Sequence, residues 1–207
     1  MLKIDEPKIN DLIDIKYNDV EIKEKLENYN FVNENIKLNN NVEISSCKFS
    51  GIIFDKVYIK NSNIEDVEFI NCDLSNVSFI DTSMYRVKFI NCKLLGTNFI
   101  DLNINNTSIE DSMCNLINIS SCKLKNIKLH NSNFKESTII NCELKNIFIN
   151  DINFTNSEIV NTPLKGIDFS NSNLEKIKTD LNSIKGIIID YYQMVDLIGL
   201  IGIKIKE

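Results

Sequence analysis

The 207-residue sequence has little of what enzymes commonly use. It contains one histidine, His130, so imidazole-based triads have almost nothing to draw on and a zinc site would need an all-cysteine cluster. No glycine-rich phosphate loop, GxSxG elbow or HExxH helix occurs. No apolar run approaches the roughly 18 residues needed to span a bilayer. The start, MLKIDEPKIN, lacks the basic stretch and apolar segment of a secretion signal. The cytoplasm is therefore the expected compartment, and the six cysteines fall outside the setting in which disulfide frameworks form. Net charge is −6, which disfavours nonspecific contact with nucleic-acid phosphates and suits a basic partner, or simply keeps the chain in solution. No cofactor, metal site, catalytic set, membrane contact or direct nucleic-acid binding is expected.

What the chain has is a period of five, which fits neither a helix face nor a strand face. From Phe49 to Leu174, every fifth residue is Leu, Ile, Phe or Met, apart from Cys114: 25 of 26 positions, without a break in phase. Two residues before each lies a second column, small or β-branched with Leu102 as the exception, that includes Cys47, Cys72, Cys92, Cys122 and Cys142. Two residues after each, from Gly51 to Lys176, Asn, Asp or Gly occupies 20 of 26 positions, and these are turn formers. Each pentad thus reads small inward, polar, large inward, variable, turn. Four pentads close a square, and successive coils stack at the spacing of strands in a sheet, about 4.8 Å. Residues twenty apart then lie one above another, in a solenoid whose coils touch only their neighbours. All six cysteines point inward, where a free thiol behaves as a small hydrophobe. His130 points outward with no ligand pattern around it.

With these columns the chain resembles the pentapeptide-repeat proteins, whose consensus is a small residue, Asp or Asn, Leu or Phe, and two variable residues. The resemblance covers residues 44–189 and implies an all-β fold, a right-handed quadrilateral β-helix. The family favours Ala at the small position; this chain has no Ala, and Cys, Ser, Thr, Val and Ile stand there instead, so a slightly fuller core is expected. Twenty-six pentads make six and a half coils, a rod of roughly 31 Å.

The ends depart from the repeat. Residues 1–43 keep Leu26, Phe31 and Ile36 in a register out of step with Ile44, which reads as an N-terminal cap made of a degenerate first coil and an insertion. Residues 190–207 open with Asp190 and Gln193 at capping-box spacing. A short helix over MVDLIGLIG and a strand-like Ile203-Lys204-Ile205 follow. Tyr191, Tyr192, Val195, Leu197, Ile198 and Ile201 leave that helix apolar nearly all round, so one side can pack on the last coil and the other asks for a second subunit.

The outer surface has columns too. Lys125, Lys145, Lys165 and Lys185 recur every twenty residues, as do Asp81 with Asp101, and Ile80 with Ile100 and Ile140 with Val160. Each stripe reads either as an interaction face or as an ordinary sheet surface in water. Residues 164–207 look like the ending of Qnr-type quinolone-resistance proteins. That resemblance implies a homodimer through the helix, with Tyr191, Tyr192, Val195, Leu197 and Ile198 in the interface. It also implies a rod that imitates duplex DNA and binds DNA gyrase or topoisomerase IV, shielding the enzyme from fluoroquinolones. Charge alone selects Glu65, Asp66, Asp81, Asp101 and Asp111 as the partner-binding acidic surface. The competing expectation is a scaffold or adaptor that recognises a different protein through the isoleucine columns.

Overall fold

The structure, a computed structural model, describes residues 4–54 and 57–199. Nearly all of it is β: parallel coils stack into a β-solenoid of about 8 turns, with one short helix, Met194–Ile198, at the C-terminal end. One coil shows the path. The strand Asn63–Ile70 covers two walls and bends at Asp66; Asn71 turns into a third wall, where Asp73 bridges Ile53 below and Lys93 above; Ser78–Ile80 is the fourth. Asp81 then leads into Ser83–Ile90, which pairs in parallel with Asn63–Ile70. Met84 pairs with Ile64, Phe89 with Phe69 and Phe99 with Phe79, each twenty residues on.

The corners explain the turn column. Every described residue in it from Gly51 to Gly166 has φ between 43° and 77°, the left-handed region that Gly, Asn and Asp enter most readily. Arg86, Leu116 and Glu136 are held there as well. The large column is the core: ten phenylalanines, from Phe31 to Phe169, are under 2% exposed or close to it. Serine, threonine and cysteine in the small column do more than fill space. The Ser112 hydroxyl accepts from the Cys92 amide (3.0 Å) and donates to the Glu110 carbonyl (2.7 Å), and Thr162 accepts from Cys142 (3.1 Å). Alanine could pack in this column, but it would leave those corner amides without a partner.

Three features differ from the sequence reading. Leu26, Phe31 and Ile36 stack on Ile44, Phe49 and Phe54, so this coil is two residues short of twenty and needs no insertion. Together with Ile13–Asp14 paired to Tyr29 and Asn30, it extends the solenoid beyond six and a half coils. Second, residues 4–8 run along the outside of one corner. Asp5 exchanges hydrogen bonds with Asn106 (3.2 Å each), Glu6 pairs with Lys88, the Lys8 amide donates to Asp66 (2.7 Å), and the Ser46 hydroxyl donates to the Lys8 carbonyl (3.4 Å). Third, the unbroken phase up to Leu174 hides a break in backbone pairing at residues 163–170, described below.

Candidate functional site

The C-terminal end is built from a reciprocal capping box. The Gln193 amide donates to the Asp190 carboxylate (2.9 Å), and the Asp190 amide donates to the Gln193 side-chain oxygen (2.9 Å). The Gln193 side-chain amide also reaches down to the Phe169 carbonyl (2.8 Å), which fastens the helix to the coil beneath. Leu197, 8% exposed, packs into the core of its own chain, and Ile198 is half-buried. Tyr191, Tyr192 and Val195 face outward, 77%, 81% and 59% exposed. Ile201 lies outside the described residues, as does the segment Ile203–Ile205.

The five acidic residues selected by charge occupy three different corners. Glu65 and Asp66 stand at one, Asp81 and Asp101 at a second, and Asp111 at a third. Asp66 carries no free charge outward. It is 8% exposed and accepts two hydrogen bonds from Arg86, the chain's only arginine, at 2.5 and 2.7 Å. Burial works to raise the Asp66 carboxyl, but the bonds from Arg86 and from the Lys8 amide outweigh it and hold the group below the ordinary aspartate range. The same Nη2 that donates to Asp66 also reaches Glu65 at 2.7 Å, and the Tyr85 ring lies against the cation, 4.0 Å from its centroid. Asp81 and Asp101 are exposed or nearly so, and neither has a salt bridge among the described residues.

Asp111 accepts from the Asn131 side chain (2.7 Å) and lines a groove of about 860 Å³. Asp151 and Asn171 continue the same edge, and Tyr192 and Asp196 close it at the helix. The structure thus brings Asp111 and Tyr192 to one groove, while Asp81 and Asp101 lie diagonally across the tube. The isoleucine columns are in register, Ile80 under Ile100 and Ile140 under Val160, all half-buried.

The Arg86 cluster and the N-terminal strap over it were missed in the sequence. Arg86 itself was a signal, since a lone arginine in a turn column of Asn, Asp and Gly needs a reason. All six cysteines are free and buried, and burial pushes Cys47 up to about 11 and Cys114 higher still, so neither of these two supplies a thiolate near neutral pH. Cys72 and Cys92, stacked a coil apart, are both free thiols.

A sequence model of the pentapeptide repeat region matches residues 39–112 and 82–151. No curated protein matches the chain. Among solved structures it is similar to HetL, a pentapeptide repeat protein involved in heterocyst differentiation regulation from the cyanobacterium Nostoc sp. strain PCC 7120. The identity is 14%, with 80% of this chain and 82% of that one covered at a TM-score of 0.47. It is similar to QnrB1, a plasmid-mediated fluoroquinolone resistance protein, at 21% identity over 94% of this chain and 95% of that one, TM-score 0.42. A pentapeptide repeat protein from the Arabidopsis thaliana thylakoid lumen matches at 16% identity over 64% and 72%, TM-score 0.34. No helix among the described residues is long and apolar enough to cross a membrane. The repeat match spans more than half of the chain, and the same period of five governs burial and turn geometry from Gly51 onward: the chain belongs to the pentapeptide-repeat family.

Proposed function

We propose that the rod acts by binding a protein rather than by catalysis, and that its partner is a type II DNA topoisomerase, gyrase or topoisomerase IV. It engages that enzyme as an imitation of duplex DNA and shields it from fluoroquinolones. The observation that carries the reading is the outward set Tyr191 and Tyr192, in the turn before the short helix, and Val195, on the helix whose other side, Leu197, is already docked. An apolar patch at the end of a stiff rod suits pairing with a second copy end to end, which doubles the rod's length. The resemblance of residues 164–207 to Qnr-type endings points the same way. Asp81 and Asp101 are one coil apart, about 4.8 Å along the axis, the same order as the ~3.4 Å between phosphates of one DNA strand. The groove that joins Asp111 to Tyr192 supplies further acidic edge close to the proposed dimer contact.

The test is a gyrase supercoiling assay with and without ciprofloxacin. Rescue of supercoiling by stoichiometric protein, weakened by salt and by Asp81→Lys with Asp101→Lys, is the expected result; no rescue at any concentration refutes the topoisomerase reading. A second reading, an adaptor with another partner, is favoured by the register of the isoleucine columns. Ile100→Lys with Ile140→Lys should spare rescue under the first reading and destroy partner binding under the second.

A further inference from the structure

In successive coils, the residue two places beyond one corner donates its amide to the coil below: Asn103 to Thr82, Lys123 to Leu102 at 2.8 Å, Glu143 to Cys122 at 2.9 Å. The next residue in that series is Pro163, which has no N–H to give. No backbone hydrogen bond joins residues 143–150 to 163–170. Leu164, Gly166 and Phe169 instead donate to Ser183, Gly186 and Ile188 of the following coil. The ladder resumes on the other walls, at Asn153 with Asn173 and Glu158 with Lys178. Asp151 bonds to Asn171, one residue later than the pattern of Asn141 with Val160, and Asn171 has lost the left-handed corner. Residues 143–150 of the strand Glu143–Asn153 are therefore a free sheet edge inside the rod, at the end of the long sheet.

The core shows at this edge. Ile104, Thr107 and Ile109 are at most 5% exposed, whereas Leu144, Ile147 and Ile149 in the same columns are half-buried. A cavity of about 60 Å³, lined by apolar side chains and Thr107, lies behind them. Lysines form one column across the edge, while Glu143 at its start is paired with Lys123 and Asp168 stands exposed in the facing coil. Lys125 pairs in register with Lys145 on the near side, Lys165 and Lys185 stand on the far side, and all four are exposed with no salt bridge among the described residues.

We propose that this edge docks an extended segment of another protein in which an apolar residue is followed by an acidic one, then Asn, Asp or Gly, then apolar, any, and apolar. An unpaired edge recruits a strand through its own amides and carbonyls. The guest's apolar residues cover Leu144, Ile147 and Ile149. Its acidic residue lies over Lys145, between the two lysine pairs. Its third residue follows the bend at Asn146, whose φ is 55°. The chain's own C-terminal Ile203-Lys204-Ile205-Lys206 has the right alternation but the wrong sign for this lysine column.

The probe is a fluorescein-labelled peptide, Ser-Asn-Ile-Glu-Asp-Val-Glu-Phe-Ile-Asn, the sequence of residues 62–71, which has the required order. Fluorescence polarisation with the full chain should show saturable binding that weakens as salt rises. Lys145→Glu should lower the affinity at least tenfold with an unchanged melting curve, and a peptide carrying Lys at its first acidic position should bind that variant and not the original. Absence of saturable binding, or equal binding by Lys145→Glu, overturns the proposal. So does a tenfold gain in Ile203→Asp with Ile205→Asp, which would make the chain's own tail the occupant, or a dimer that dissociates in Lys145→Glu, which would make it a second copy.

Discussion

The rings of Phe69 and Phe89, twenty residues apart, lie face over face with centroids 5.0 Å apart and planes within 6°. Phe31 and Phe49 continue the same stack below, at 5.1 Å per step. Removing the Phe89 ring leaves a cavity between Phe69 and Ile109, which the coil spacing holds in place. Phe89→Ala should cost about 3–5 kcal/mol, read from denaturant midpoints, and Phe89→Asp should prevent folding altogether.

Leu116 sits at a corner with φ of 58° and a side chain 59% exposed. It gains little from packing and bears the clash that L-residues meet in the left-handed region, about 1–2 kcal/mol. Leu116→Gly or Leu116→Asn should therefore raise the melting temperature by about 2–8 °C. A lower melting temperature for both would show that the leucine makes a contact worth more than its strain.

Acid should weaken the rod through identifiable carboxylates. Hydrogen bonds from the Ser183 hydroxyl, the Asn161 amide and the Ser183 and Asn182 amides hold Asp180 down at about 2. Burial opposes ionisation of Glu110, but the ammonium of Lys128, 2.6 Å away, prevails and keeps it below the ordinary range. A carboxyl lower in the folded than in the unfolded chain stabilises above its unfolded value, near 4, and that stabilisation disappears as pH falls through the folded value. Denaturant midpoints should stay level from pH 7 to about 5 and drop between about pH 4 and 2. Asp180→Asn should flatten that drop.

The proposed end-to-end dimer separates two sides of one helix. Tyr191→Asp with Val195→Asp should halve the mass measured by light scattering and leave the melting curve nearly unchanged, because those side chains touch little of their own chain. Leu197→Asp should lower stability by about 2–5 kcal/mol, whatever the oligomeric state. An unchanged mass in the first variant refutes the helix as the dimer contact.

The inward columns were legible because one rule, a large apolar residue every fifth place, is imposed by a wall that turns every fifth place. The capping box was legible for the same reason: Asp190 and Gln193 meet within three residues. What escaped notice depended on distance or on backbone. Asp5 with Asn106 and Lys8 with Asp66 are 101 and 58 residues apart, and no local spacing announces such a pair. The eighteen-residue first step from Leu26 to Ile44 changed the phase and so resembled an insertion. Pro163 was visible, but Leu164, Ile167 and Phe169 stayed in phase around it, so the apolar pattern carried on across a place where the ladder stops. The acidic residues misled in another way: counting charge along the chain put Asp66 with Asp81, whereas three dimensions gave it an arginine and a lid.

The strap of residues 4–8, tied in turn to the coils of Asn106, Lys88, Asp66 and Ser46, gives the rod a mechanical polarity. Tension on the N-terminus must shear four lashings together before any turn can unwind, while at the opposite end the final turns can peel away one by one from the seam opened by Pro163. Pulled in an optical trap, the rod should unravel from its C-terminus.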